Sequence, residues 1–257
     1  MKHVFKYVSN FVLQEGKLLL LKRSSKKAIL PSKWSVSVGT LKEGESVLEG
    51  ATRELNEELG PLSQNLHLIA AGKSLEVEGS ETSTGITHPL LWVRVGRAWQ
   101  EPALNHEHDD FKWIKLYASD SELDKLDTVM GLQHSAQELI PPPCSLIEST
   151  IERPDLALNQ QVVTIMKACK TWPELHVSLW RFLDAMEEKK KDLADARKLR
   201  NLFRYWLSSM PKRKFQDDVI ENSEEYNPLR VLVNDKAFFA TRLSCLLGHD
   251  IQASELD

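Results

Sequence analysis

The chain has 257 residues, 42% hydrophobic and 27% charged, with a formal net charge of −4. That length can bury one or two sizeable cores, and the acidic balance argues against a globally basic nucleic-acid binder. Cys144, Cys169 and Cys245 are an odd set at wide spacing, which suits a reduced intracellular chain better than a disulfide scaffold. Lys2, Lys6, Gln14, Glu15 and Lys17 interrupt any signal-like run in the first twenty residues, and no stretch approaches the ~20 apolar residues of a membrane helix. A cytoplasmic protein with no membrane association is expected.

The first elements read as a hairpin. Phe11-Val-Leu13 ends one apolar stretch, Gln14-Glu-Gly16 supplies a turn, and Lys17 to Leu21 starts the next strand. Arg23 closes that strand, either as a ligand for a substrate phosphate or as an exposed strand-end cation. Pro31-Ser-Lys-Trp34 then leads into a further strand. Trp34 needs no function if it is a core or edge residue.

Gly39 to Leu62, GTLKEGESVLEGATRELNEELGPL, carries the most information. Ser46 and Glu49 have the spacing of a capping box, so a helix is predicted to start near Ser46. Leu48, Ala51, Leu55 and Leu59 form its apolar stripe. Glu54, Glu57 and Glu58 fall on one face at spacings i, i+3 and i+4. Carboxylates ~6 Å apart repel by a few kcal/mol per pair at an effective dielectric near 20. Hard divalent ions are the natural partners of such a cluster, which reads as a metal seat. Arg53 is expected to point away from this face, toward a loop carboxylate such as Glu45. Gly50, a helix-interior glycine, either leaves room for an ion or phosphate or allows close packing of a neighbouring loop. Gly60 suits a left-handed cap, and Pro61 stops the helix.

The segment resembles the signature of the Nudix hydrolases: Gly, five residues, Glu, seven residues, then Arg-Glu-apolar-x-Glu-Glu-x-Gly-apolar. Gly39, Glu45, Arg53, Glu54, Leu55, Glu57, Glu58 and Gly60 are in register, and Pro61 departs where an aliphatic residue is usual. The resemblance implies hydrolysis of a nucleoside diphosphate linked to another moiety, by water attack at phosphorus. It implies Mg2+ (or Mn2+) as cofactor, with Glu54, Glu57 and Glu58 as ligands and the Val38 carbonyl completing the shell. Gly39, Glu45, Arg53 and Gly60 would support the motif. Trp34 resembles the aromatic that many relatives place beside the nucleotide.

Further along, Leu66 to Lys73 and His88 to Val95 have strand composition. His88 begins the second of these, either near the substrate or as a structural strand end. The loop from Asn105 to Trp113, NHEHDDFKW, precedes a strand of Phe111, Trp113 and Ile114. It resembles a family pattern in which an acidic residue stands before a strand Trp. Glu107 is therefore a candidate metal ligand or general base, alongside Glu54 and Glu57 as catalytic candidates; the alternative is a solvated acidic loop. A lone His106-x-His108 without cysteine partners is a weak zinc signal. Asp124 to Leu139 resembles a closing helix entered at Met130-Gly131.

These elements predict an α/β protein, a Nudix-like α/β/α sandwich with a mixed sheet over residues 1–140, followed by a smaller all-α domain. Pro141-Pro-Pro143 opens a Pro-rich linker over 141–148. Residues 149–257 show helical patterns at Asn159 to Cys169, Val177 to Met186, Leu193 to Trp206 and Leu229 to Leu247, outside the resemblance. Residues 181–214 hold eleven Lys or Arg against five Asp or Glu, with Phe203, Tyr205 and Trp206 among them. Nucleic acid is one reading of that patch, and an ordinary solvated helix face the simpler one.

The leading functional reading is a metal-dependent pyrophosphohydrolase with a small-molecule nucleotide substrate. A nucleotide-sensing module without turnover and an RNA-directed hydrolase that uses the helical domain are the alternatives. ADP-sugars, dinucleoside polyphosphates, oxidised nucleoside triphosphates and NADH are all open as substrates, and a homodimer is open as an assembly.

Overall fold

The computed structural model describes residues 3–77, 83–94, 99–116, 122–140, 158–169 and 172–188. Strand β1 (His3–Gln14) turns into β2 (Lys17–Arg23), with Leu13 opposite Leu18 and Gln14 opposite Lys17. Glu15 and Gly16 both have positive φ, 52° and 74°, which a two-residue hairpin turn of this hand demands. Short strands β3 (Trp34–Ser35) and β4 (Ser37–Thr40) follow, the first against β2 and the second against β1. Helix α1 (Val47–Leu59) comes next, then a 3-10 turn (Gly60–Asn65) and β5 (Leu66–Ala71).

Strands β6 (Leu75–Val77), β7 (Ser83–Arg94) and β8 (His108–Lys115) complete one mixed sheet among the described residues. β1 pairs with β7 in parallel; the other pairings are antiparallel. The chain then reaches α2 (Leu132–Leu139) directly after Gly131, whose φ is +78°. Strand β7 begins at Ser83, five residues before the predicted start at His88. Its polar opening, Ser-Thr-Gly-Ile-Thr, carries no local apolar run and is held extended by pairing with His3–Tyr7 of β1.

The core follows the period-two rule of strands. Val8 and Val12 of β1, Leu19 and Leu21 of β2, and Leu90 and Trp92 of β7 pack with Ala51, Leu55 and Leu59 of α1. Their alternates Phe11, Leu13, Leu18, Leu20, Leu91 and Val93 are also buried, so both sheet faces are covered. Helix α2 buries Leu132, Ala136 and Leu139. The architecture is α/β/α, as predicted. Leu48, expected in the helix stripe, is only partly buried.

Helices α3 (Leu158–Ala168) and α4 (Trp172–Glu188) belong to a second compact unit and match two of the predicted helical stretches. In α4, Leu179, Trp180, Phe182 and Leu183 are buried. The linker, most of the 181–214 basic patch and the stretches at 193–206 and 229–247 lie outside the described residues. No helix among the described residues is long and apolar enough to cross a membrane.

The start of α1 is set by its capping box. The Glu49 N–H donates to Ser46 Oγ at 3.2 Å, and the Ser46 N–H donates to Glu49 Oε2 at 2.9 Å. Ser46→Ala is expected to lower stability by about 1 kcal/mol, and Ser46→Asp to retain most of it, as read by urea denaturation.

Candidate active site

Two chain segments build the site. β4 and the loop after it lie against α1, and Arg53 ties them together. Its Nε and Nη2 donate to the two Glu45 oxygens at 2.8 and 2.9 Å, and Nη2 also reaches the Thr40 carbonyl at 3.0 Å. The same guanidinium extends Nη1 to Glu54 Oε1 at 2.6 Å and to Glu57 Oε2 at 3.5 Å. Arg53 therefore does not point away from the glutamate face. Its planar fork has donors enough to serve the loop carboxylate and two helix carboxylates at once. Arg53 and the Lys42 N–H hold the Glu45 carboxyl down at about 2.

The motif glycines are explained by close approach. A Cβ on Gly39 would lie 1.7 Å from Cδ of Glu54, so the Glu54 side chain packs over the bare α-carbon. A Cβ on Gly50 would meet Leu41 Cδ2 at 2.2 Å and Glu45 Oε2 at 3.1 Å. Its space is filled by the loop, which leaves no room there for an ion. Gly60 has φ 58° but ψ −131°, outside the left-handed helical cap expected. Ala103 crowds it instead, its N–H donating to the Leu59 carbonyl at 3.1 Å, and Pro61 follows Gly60 as the second residue of the 3-10 turn.

The three helix glutamates meet different surroundings. The Glu57 side chain is 53% exposed. The Glu54 side chain is 12% exposed, and burial raises its pKa first; Arg53 opposes this, while Glu57 and Glu107 add to it. Glu58 is 2% exposed, between Leu55 and Leu59 on α1. Burial pushes its carboxyl up to about 8, with the Ser37 hydroxyl opposing and the charges of Glu54 and Glu107 adding. One Glu58 oxygen, Oε2, is buried with no hydrogen-bond partner. The other lies 3.8 Å from Nε2 of His108. Burial holds His108 down at about 4, so this is a neutral contact at pH 7 rather than an ion pair.

The second segment contributes Glu107. Its carboxylate pairs with Lys27 at 2.6 Å, which favours its charged form. The Ser24 N–H donates to the Glu107 carbonyl at 2.8 Å, joining the 24–33 loop to the start of β8. Arg23 donates from Nη2 to the Ile29 carbonyl at 3.0 Å and from Nε to that of Leu30 at 3.2 Å. Its charge also acts on Glu58 and His108. Arg23, Glu54, Glu58 and Glu107 thus form one electrostatic cluster.

Three further candidates lie on β3, β7 and β4. Trp34 is nearly buried, with Lys112 and Lys22 ammonium groups 5.1 and 6.0 Å from its ring centre. Its backbone N–H donates to the Asp127 carbonyl at 2.9 Å. His88 lies within β7, with Nδ1 2.9 Å from Ser74 Oγ. Val38 sits in β4 opposite Ser9, between Ser37 and Gly39.

Among the described residues, no three His, Cys, Asp or Glu side chains form a ready-made metal shell. Glu54 and Glu57 are turned to Arg53 instead. The donor chemistry nonetheless fits a hard cation: clustered carboxylates, an orphaned buried oxygen on Glu58, and mutual repulsion that a divalent ion would relieve.

Sequence reasoning missed Ser37, His108 as the neighbour of Glu58, and Lys27 as the partner of Glu107. It also missed Asn10, whose signal was available: an amide standing in the core-facing alternation between Val8 and Val12.

Residues 5–128 match the NUDIX domain model. The nucleoside triphosphatase NudI of Escherichia coli K12 is 24% identical over 112 residues, covering 42% of this chain and 79% of the relative. A MutT protein from Methanosarcina mazei Go1 shares 24% identity at a TM-score of 0.37, covering 45% of this chain and 79% of that one. An Ap4A hydrolase from C. elegans shares 19% at a TM-score of 0.42, covering 52% and 93%. Residues 5–128 are a NUDIX domain, the domain type of the Nudix hydrolase family.

A pH signature follows from Glu58. The folded chain keeps its proton to about pH 8, whereas the ordinary carboxyl loses it near 4.5. The neutral carboxyl's contribution to stability is full below 4.5 and is lost as pH rises toward 8. With chelator present, the melting temperature of the wild type relative to Glu58→Gln is expected to fall across that window. A constant difference would contradict the burial of an ionisable group there.

Proposed function

We propose that the domain hydrolyses a diphosphate bond in a nucleotide, with Mg2+ or Mn2+ held by Glu54, Glu57 and Glu58 and the Val38 carbonyl. The observation that carries this reading is Glu58: a carboxylate withdrawn from water, one oxygen unpartnered, beside two further carboxylates. Such an arrangement disfavours its own charged state unless a cation arrives. A bound divalent ion would supply positive charge against the diphosphate and acidify water at the site.

The chain's own groups have separable tasks in this reading. Arg53 and Glu45 fix the loop against α1, so that Glu54 is held over Gly39. Glu107, kept charged by Lys27, is the candidate to take the proton of the attacking water. Arg23 supplies a cation beside the cluster for a phosphate oxygen. Trp34 and His88 remain candidates for contacts to the base or leaving group. The E. coli relative is named a nucleoside triphosphatase, which puts nucleoside triphosphates first among substrates to test. Nucleoside diphosphates linked to sugars or to second nucleotides come next. A cytoplasmic location agrees with such substrates.

The test is turnover of a nucleotide panel with Mg2+, with products identified by mass. Glu57→Gln and Glu58→Gln are each expected to lower kcat at least ~100-fold while the fold melts cooperatively. Unchanged rates would remove these residues from the mechanism. Glu107→Gln is expected to cost ~100-fold or more in kcat, with little change in Mn2+ affinity, if it is the base. Loss of Mn2+ binding in that variant would make it a ligand instead. A panel left wholly intact, with nucleotide still bound, would replace hydrolysis by sensing.

A further inference from the structure

A line of buried polar side chains crosses the core toward Glu58. Asn10 lies on β1 between Val8 and Val12, whose side chains belong to the α1-facing core. Period two puts its amide on that same apolar face, where it is 1% exposed. Trp92 Nε1 donates to Asn10 Oδ1 at 2.9 Å, and Asn10 Nδ2 donates to Ser37 Oγ at 3.3 Å. Trp92 and Ser37 are 3% exposed as well. The three side chains come from β7, β1 and β4, and the Ser37 hydroxyl at the end of the line is the group that acts against burial on the Glu58 carboxyl.

The direction of this line is forced by its first member. An indole N–H can only donate. It therefore requires the oxygen of the Asn10 amide, which turns the NH2 toward Ser37. The Ser37 oxygen is thereby used as an acceptor, and its single hydrogen is left to give. Glu58 is the acceptor beside it. We propose that Trp92, Asn10 and Ser37 are positioning residues that aim one hydroxyl hydrogen at the Glu58 carboxylate and so orient it for a cation.

The relay deepens the functional reading above and rests on Glu58 being a ligand. Oε2 of that carboxylate is buried without a hydrogen-bond partner, which is the oxygen an ion would take. The Asn10 oxygen satisfies the buried Trp92 N–H, a need an apolar side chain would leave unmet, while its NH2 carries the polarity on to Ser37.

The experiment measures Mn2+ affinity of the full chain by electron paramagnetic resonance, without substrate, beside the melting temperature in chelator. Ser37→Ala is expected to weaken Mn2+ binding about 10-fold, as removal of a hydrogen-bond partner from a ligand typically does. Ser37→Thr keeps the hydroxyl and is expected to restore binding. Trp92→Phe frees the Asn10 amide to turn and is expected to weaken binding about 3-fold, in the same direction. In steady state the loss is expected in kcat more than in KM. Wild-type Mn2+ affinity in folded Ser37→Ala or Trp92→Phe, with Glu58→Gln impaired, overturns the relay. Should Ser37→Ala fail to fold, Trp92→Phe decides alone. Wild-type affinity in Glu58→Gln removes the metal seat itself, and the relay with it.

Discussion

The placement of one carboxylate inside an apolar core is the constraint on which the site depends. Glu58 sits on the inward side of α1, flanked by leucines that anchor the helix to the sheet. Those leucines fix where the carboxylate goes, and the burial that makes the helix stable makes the charge costly. Hydrophobic packing and electrostatics thus oppose each other at a single residue. Compensation within the described residues is partial: a hydroxyl from Ser37, a neutral imidazole from His108, and the distant charge of Arg23. The remaining deficit is what a cation can meet.

Around Glu58 the structure separates holding from reacting. Arg53 is spent on geometry, since its N–H groups bind Glu45, Glu54 and the Thr40 carbonyl together. The pairing is short and multidentate, so it defines the loop's path more than a surface ion pair would. Glu107 has the opposite character. It reaches the helix cluster from a loop roughly fifty residues further along, and a lysine from a third segment keeps it charged. Charge near the glutamates is thus drawn from β2, α1 and the start of β8, and only the antiparallel pairing of β2 with β8 makes these neighbours.

Much of this was legible in one dimension. The capping box, the leucine spacing and the glutamate triplet are local patterns, and local hydrogen bonds and periodicity determine a helix of this length without reference to the rest of the chain. The turn at Glu15-Gly16 and the Gly131 entry to α2 are local for the same reason. The pairing of Arg53 with Glu45 was legible, but its reach to Glu54 and Glu57 was not, because helical wheel geometry gives the direction of a Cβ, whereas a long guanidinium follows its partners. The early start of β7 escaped because its strand character is imposed by β1, far away in sequence.

What the sequence by itself determined is the chemistry available: three acids on one helical face, their brace, and an acidic loop before a tryptophan strand. Only the tertiary structure decided how unequal those acids are. Exposure, burial and the arrival of Ser37, His108, Lys27 and Glu107 depend on strands brought together across the sheet, and a pKa is set by what surrounds a group in space rather than along the chain.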